Sequence, residues 1–169
     1  ARPIAALNSL RFGDLGNART RQLFRGVVRG IGDYGNSFGV PTVAGEVYFD
    51  PCYQDNPLVN AMSVGVVRNG QWARAAATGP GNLVLIVGSS TGRDGIHGAT
   101  FSSEELHEGS PVTAVQIGDP ITQKRMTDFL LVARDRCLYR AITDNGAGGL
   151  SSSIGEMATL SGGCELNLT

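Results

Sequence analysis

Two side chains stand at positions where a bound ligand could meet them. Gln116 closes the apolar run Val112 to Ile117, immediately before Gly118-Asp119-Pro120, and Asp144 follows Leu138 to Thr143 and precedes Asn145-Gly146-Ala147-Gly148-Gly149 and a helical pattern. Ligand clefts in α/β layers open beyond the carboxyl ends of strands. Helix N-termini add partial positive charge there. A carboxylate at such a point suits Mg²⁺ and phosphate together, although a plain Asx turn would also account for Asp144. The neutral amide of Gln116 can donate and accept to a substrate, or it can cap nearby backbone. A third segment, Val87 to Thr100, concentrates glycines and hydroxyls with Arg93 and Asp94. Such a loop can bring N–H groups to an anion or offer Asp94 to a metal; it can equally be a long turn tied by Arg93 and Asp94.

Other chemistries are excluded by residue type. Lys124 is the single lysine and stands in Thr-Gln-Lys-Arg, so there is no Gly-Lys-Ser/Thr phosphate loop. His97 and His107 are the only histidines, which rules out an HExxH zinc site. Cys52, Cys137 and Cys164 are too far apart for a CxxC motif, and an odd number argues against a disulfide framework; they read as reduced thiols packed in strands. Gly30-Ile31-Gly32-Asp33-Tyr34-Gly35 fits a dinucleotide fingerprint in letters only, because these glycines close a helix where the fingerprint must open one. Gly35-Asn36-Ser37-Phe38-Gly39 lacks the strand-turn-helix setting of a nucleophile elbow. A formal charge of −1 offers no groove for nucleic acid. No apolar run approaches the roughly 18 residues of a membrane span, and no signal segment is visible, so a cytoplasmic protein with neither nucleic-acid nor membrane partners is expected.

The elements that must position these residues alternate. Arg2 to Gly13 reads as a strand. Leu23, Phe24, Val27, Val28 and Ile31 mark an amphipathic helix from about Asn17, which Gly30, Gly32 and Gly35 should end. Val40 to Asp50 is extended, with a domain boundary between residues 50 and 57. Leu58 to Val67 and Leu83 to Val87 are nearly continuous apolar runs suited to strands buried on both faces. Asp119-Pro120 is a helix start, with Met126, Phe129, Leu130 and Ala133 as its buried stripe. Leu138 to Thr143 reads as a strand, and Leu150, Ile154, Met157 and Ala158 as a helix stopped by Gly162-Gly163. Cys164 to Leu168 closes as a strand. The fold class is mixed α and β, without internal repeat.

Five motifs occur in linked order: Gly45-Glu46-Val47-Tyr48-Phe49-Asp50, Asn56-Pro57-Leu58-Val59-Asn60-Ala61-Met62, Thr91 to Phe101, Gln116-Ile117-Gly118-Asp119-Pro120, and Asp144-Asn145-Gly146-Ala147-Gly148-Gly149-Leu150. With them the chain resembles the phosphoribosylformylglycinamidine synthase family, the formylglycinamide ribonucleotide amidotransferases, over essentially its whole length. It is closer to the stand-alone synthetase subunit than to the long fused form.

The resemblance implies an α+β fold of the aminoimidazole-ribonucleotide-synthetase-like kind. Residues 1–50 would be the remainder of an N-terminal-type domain, and residues 51–169 the first part of a C-terminal-type domain. It implies a nucleotide-binding, ATP-dependent C–N ligase of purine biosynthesis that uses Mg²⁺. The substrate would be formylglycinamide ribonucleotide, with ammonia delivered by a glutaminase subunit in an assembly that includes a small accessory subunit. Gln116 maps to a substrate-binding glutamine and Asp144 to a Mg²⁺-binding aspartate. The family's catalytic histidine motif would lie before Ala1, so no catalytic residue is assigned within the chain. Ala1 is not methionine, consistent with an internal piece that is inert alone and self-associates through uncovered strands. The alternative is a non-catalytic α/β packing or assembly module.

Overall fold

The computed structural model describes residues 1–77, 79–89, 118–146 and 149–167. Mixed α/β architecture is observed, in two compact units: Ala1–Gly70 with Gln123–Arg125, and Gln71–Thr122 with Met126–Thr169.

In the first unit, strand β1 (Arg2–Phe12) leads into helix α1 (Ala18–Phe38), then β2 (Thr42–Phe49), a single 3-10 turn at Pro51–Tyr53, and β3 (Leu58–Val66). The sheet order is β2-β1-β3. β1 runs parallel to β2, from Ala6 opposite Thr42 to Phe12 opposite Phe49. It runs antiparallel to β3, from Arg2 opposite Val66 to Arg11 opposite Leu58. That register shifts between Pro3 and Ala5, where proline has no N–H to give the ladder. Because β3 pairs with β1, the unit reaches Gly70, and the division expected after Asp50 falls inside the sheet.

Aromatic packing anchors this unit. Phe12 is fully buried, with the Phe24 ring of α1 edge-on at 5.3 Å and Phe49 of β2 at 6.3 Å, while Phe24 and Phe49 meet at 5.6 Å. The start of α1 is fixed by Asn17, whose side chain accepts from the N–H groups of Arg19 and Thr20. Its end is not where Gly30, Gly32 and Gly35 suggested. Interior glycine costs about 1 kcal/mol relative to alanine and weakens a helix without breaking it. The stop is Gly39, which takes the left-handed conformation (φ 76°) and donates to Gly35 O at 2.8 Å. Thus both glycine motif matches, GxGxxG and GxSxG, lie within or at the end of one helix.

Several expected burials and strands are corrected. β3 forms, but its side chains are exposed rather than covered on both faces; it has a single strand partner among the described residues. Leu83 to Val87 forms no ladder with the described residues, and Leu83 is 87% exposed. Leu138 to Thr143 is a loop with one parallel bridge, Ala141 to Arg74. Residues 164–167 form no ladder with the described residues. An apolar run supplies β propensity but no partner backbone, and a strand needs both. The cysteines are free and exposed, on the 3-10 turn and in loops rather than in strands.

In the second unit, helix α2 (Pro120–Asp135) begins as the Asp-Pro pair requires: Asp119 Oδ1 accepts from Thr122 N at 3.0 Å and Oδ2 from the Thr122 hydroxyl at 2.6 Å. Ala133 is buried, but Phe129 of the expected stripe is exposed. Helix α3 (Gly149–Ser161) ends at Gly162 and Gly163, both at positive φ, with Gly163 N donating to Ala158 O at 2.7 Å. No described helix is long and apolar enough to cross a membrane.

Candidate functional site

Asp144 lies in the loop between α2 and α3, five residues before Gly149, with its side chain exposed. The loop is held from both sides. The buried Ser153 hydroxyl of α3 donates to Asn145 Oδ1 at 2.6 Å, and Gly149 N donates to Gly146 O at 2.8 Å. Asp144 Oδ1 would stand 3.1 Å from a Cβ placed on Gly146, so glycine there leaves the carboxylate its room. The expected strand before Asp144 is absent, yet the carboxylate is still presented just ahead of a helix start.

Such a group fits one ligand position of Mg²⁺, which takes one or two carboxylates and fills its octahedron with water and phosphate oxygens. The described residues contain no cluster of three His, Cys, Asp or Glu side chains able to hold a metal by themselves. Gln116 and the glycine loop from Thr91 to Thr100 lie outside the described residues.

The first unit contains a polar cluster that sequence reasoning did not single out. Arg11 Nη2 and Glu46 Oε1 meet at 2.5 Å, Ser9 Oγ donates to the same oxygen at 2.8 Å, and the guanidinium lies 4.4 Å from the centroid of the Tyr48 ring. Hydrogen bonding by Arg11, then by Ser9, holds the Glu46 carboxyl below its ordinary value, and the Arg11 guanidinium is raised in return. Beside it, Arg11, Tyr48, Phe49, Asp50 and Tyr53 line an open cavity of about 290 Å³. Asp50 accepts from Cys52 N at 2.9 Å and is lowered by that bond first. The thiol of Cys52 is pushed up, chiefly by its hydrogen bond to Asp50. A raised thiol is a poor nucleophile, and the guanidinium is already committed to Glu46. The cluster ties β1 to β2. Its signal in the sequence was the alternation of Glu46 and Tyr48 along a strand, opposite Ser9 and Arg11 in the parallel register.

Gln54 makes a second tie. Its Oε1 accepts from Asp14 N at 3.0 Å, and its Nε2 donates to the buried Thr20 hydroxyl at 2.8 Å. These bonds join the 3-10 turn to the β1–α1 connection.

The two units correspond to two domains found in sequence. The AIR synthase related protein N-terminal domain matches residues 1–67, and the AIR synthase related protein C-terminal domain matches residues 79–169. The chain belongs to the AIR synthase related family. Within it, the chain is 59% identical over 99% of its length to phosphoribosylformylglycinamidine synthase subunit PurL of Salinibacter ruber, and 58% identical over 94% to that of Chlorobium luteolum. It spans 22% and 21% of those relatives. Among solved structures it is similar to T. maritima PurL complexed with FGAR, with a TM-score of 0.84 and 40% identity over 94% of this chain and 25% of that one. T. maritima PurL complexed with ATP gives 0.75 and 36% over 94% and 23%, and the PurLQS structure from Thermotoga maritima gives 0.75 and 35% over 95% and 24%.

Proposed function

We propose that the chain is part of the synthetase of a cytoplasmic, ATP-dependent C–N ligase that converts formylglycinamide ribonucleotide and ammonia into the corresponding amidine, with ADP and phosphate as the other products. The observation that carries this is the similarity of nearly the whole chain, through both domains in order, to PurL subunits and to a PurL solved with FGAR. In this reading Asp144 offers one hard oxygen to Mg²⁺, which when bound would neutralise phosphate charge. Gln116 binds the substrate through its neutral amide. Ammonia comes from a glutaminase subunit, with a small accessory subunit in the same assembly; similarity to the PurLQS structure supports that arrangement. The isolated 169 residues are inert in this proposal, because the family's histidine motif is not among them.

The test is ATP hydrolysis that depends on both formylglycinamide ribonucleotide and ammonia, measured on the full-length protein. Asp144→Asn should raise the Mg²⁺ concentration required and lower turnover on the order of tenfold or more, as losing a metal ligand or its supporting contacts does. Gln116→Leu should raise KM for the ribonucleotide with an unchanged Mg²⁺ requirement. A wild-type protein without substrate-dependent hydrolysis would leave the second reading, an assembly module without chemistry. That reading draws its support from exposed apolar strand residues such as Val59, Met62 and Val66.

A further inference from the structure

We infer that Asn69 is a site of spontaneous succinimide formation and isoaspartate conversion, and that the chain's other Asn-Gly pair, Asn145-Gly146, is shielded from the same chemistry by its fold. The sequence contains Asn followed by Gly at these two places. In the reaction the Gly nitrogen gives up its proton to solvent and attacks the Asn Cγ. The N–Cγ bond forms, the Cγ–Nδ2 bond breaks, and the side-chain nitrogen leaves as ammonia with the added proton. Water then opens the five-membered ring at either carbonyl, giving aspartate or isoaspartate. One water is consumed, one ammonia is released, and nothing is oxidised or reduced.

Ring closure requires the Asn side chain to swing onto the following nitrogen, and a Cβ on that following residue would obstruct it. At Asn69 nothing among the described residues resists. The side chain is exposed, it has no hydrogen-bond partner among the described residues, and Asn69-Gly70 is a turn. Gly70 has φ 80° with nothing within 4 Å of where its Cβ would be. At Asn145 three features resist. The Ser153 hydroxyl, itself buried, anchors Oδ1 at 2.6 Å. The Gly149 N–H holds the Gly146 carbonyl at 2.8 Å, which restrains the residue whose nitrogen would have to attack. Asp144 Oδ1 also lies beside Gly146, 3.1 Å from its Cβ position, and a neighbouring carboxylate opposes loss of the amide proton.

The position gives the conversion a consequence. Asn69 immediately precedes Gly70, the residue after which the chain passes from the first compact unit to the second. Isoaspartate inserts a methylene into the main chain there and adds a negative charge. The product is of the chemical class that isoaspartyl methyltransferases recognise.

The test uses the full-length protein in warm, mildly alkaline buffer, sampled over time and digested with trypsin. Cleavage after Arg68 and Arg74 isolates residues 69–74 in one peptide. Peptide mass reports amide loss, and isoaspartyl methyltransferase labelling reports the isomer. In the native protein Asn69 should convert about tenfold faster than Asn145, the factor one retained hydrogen bond supplies. In denaturant the two rates should converge. Ser153→Ala should bring Asn145 to within a few-fold of Asn69, and Asn69→Gln should abolish the change in the short peptide. Equal native rates, a faster Asn145, or an Asn69 that stays an amide while the denatured control converts would each overturn the inference. The native-against-denatured comparison decides it even if the Ser153 variant does not fold.

Discussion

Phe12→Ala is the perturbation that tests whether the first unit is held by its aromatic anchor. Phe12 is fully buried at the end of β1, touching Phe24 from α1 and Phe49 from β2. Truncation to alanine removes the buried ring and leaves a cavity, a change that costs about 3–5 kcal/mol in protein cores. Part of that is the edge-to-face contact with Phe24, worth about 0.5–1.5 kcal/mol beyond area. A unit of this size has a total stability on the order of 4–10 kcal/mol, so Phe12→Ala should consume a large share of it. Phe12→Leu keeps most of the apolar volume and should cost about 1.5 kcal/mol. The assay is hydrogen exchange of the β1 amides in the full-length protein, which reads local opening without assuming that the whole chain unfolds at once. Alanine should collapse protection along β1 and leave α3 unchanged; leucine should lie between. A loss below about 1 kcal/mol for alanine would show that the trio is not the anchor and would refute the reasoning.

Two further outcomes are expected in the same unit. Because the folded-state pKa of Glu46 is lowered, its bond to Arg11 contributes stability above the ordinary carboxylate value of 4.5 and loses it as pH falls through the folded value; Glu46→Gln should flatten this acid limb in urea titrations across pH. Asn17→Ala should cost about 1 kcal/mol and speed exchange at the Arg19 and Thr20 amides, whereas Asn17→Asp should preserve the cap.

What could be read from the sequence is what short-range chemistry decides. Asp119-Pro120 announces α2 because cap and first turn are neighbours in sequence, and Gly162-Gly163 announces the end of α3 for the same reason. The pattern of Leu23, Phe24, Val27, Val28 and Ile31 located α1, but Gly30 and Gly35 misled about its end: permissive residues do not stop a helix unless the backbone must turn left-handed, as it does at Gly39. Strands fared worse. Leu58 to Val66 and Leu83 to Val87 look alike in composition, yet the first finds β1 and the second finds no ladder partner among the described residues. Pairing is a property of two segments, and only one of them is in view when a run is read. Gln54 makes the same point for side chains, since its partners lie 40 and 34 residues away.

Asp144 keeps its place ahead of a helix start although the strand expected before it does not form. A carboxylate between a strand and a glycine-rich helix start suits Mg²⁺ and phosphate. The strand is absent, and a loop with one bridge at Ala141 stands in its place. What remains depends on shorter reach: Ser153 holds Asn145, the Gly149 N–H holds Gly146, and the carboxylate between α2 and α3 is left exposed. A metal position needs an oxygen with open solvent beside it, and in the proposed reading the exposed Asp144 carboxylate offers one. The contacts that hold this loop are local, Ser153 to Asn145 and Gly149 to Gly146. For the same reason the segment that presents Asp144 also restrains Asn145, whose conversion to aspartate would put a second carboxylate next to the first.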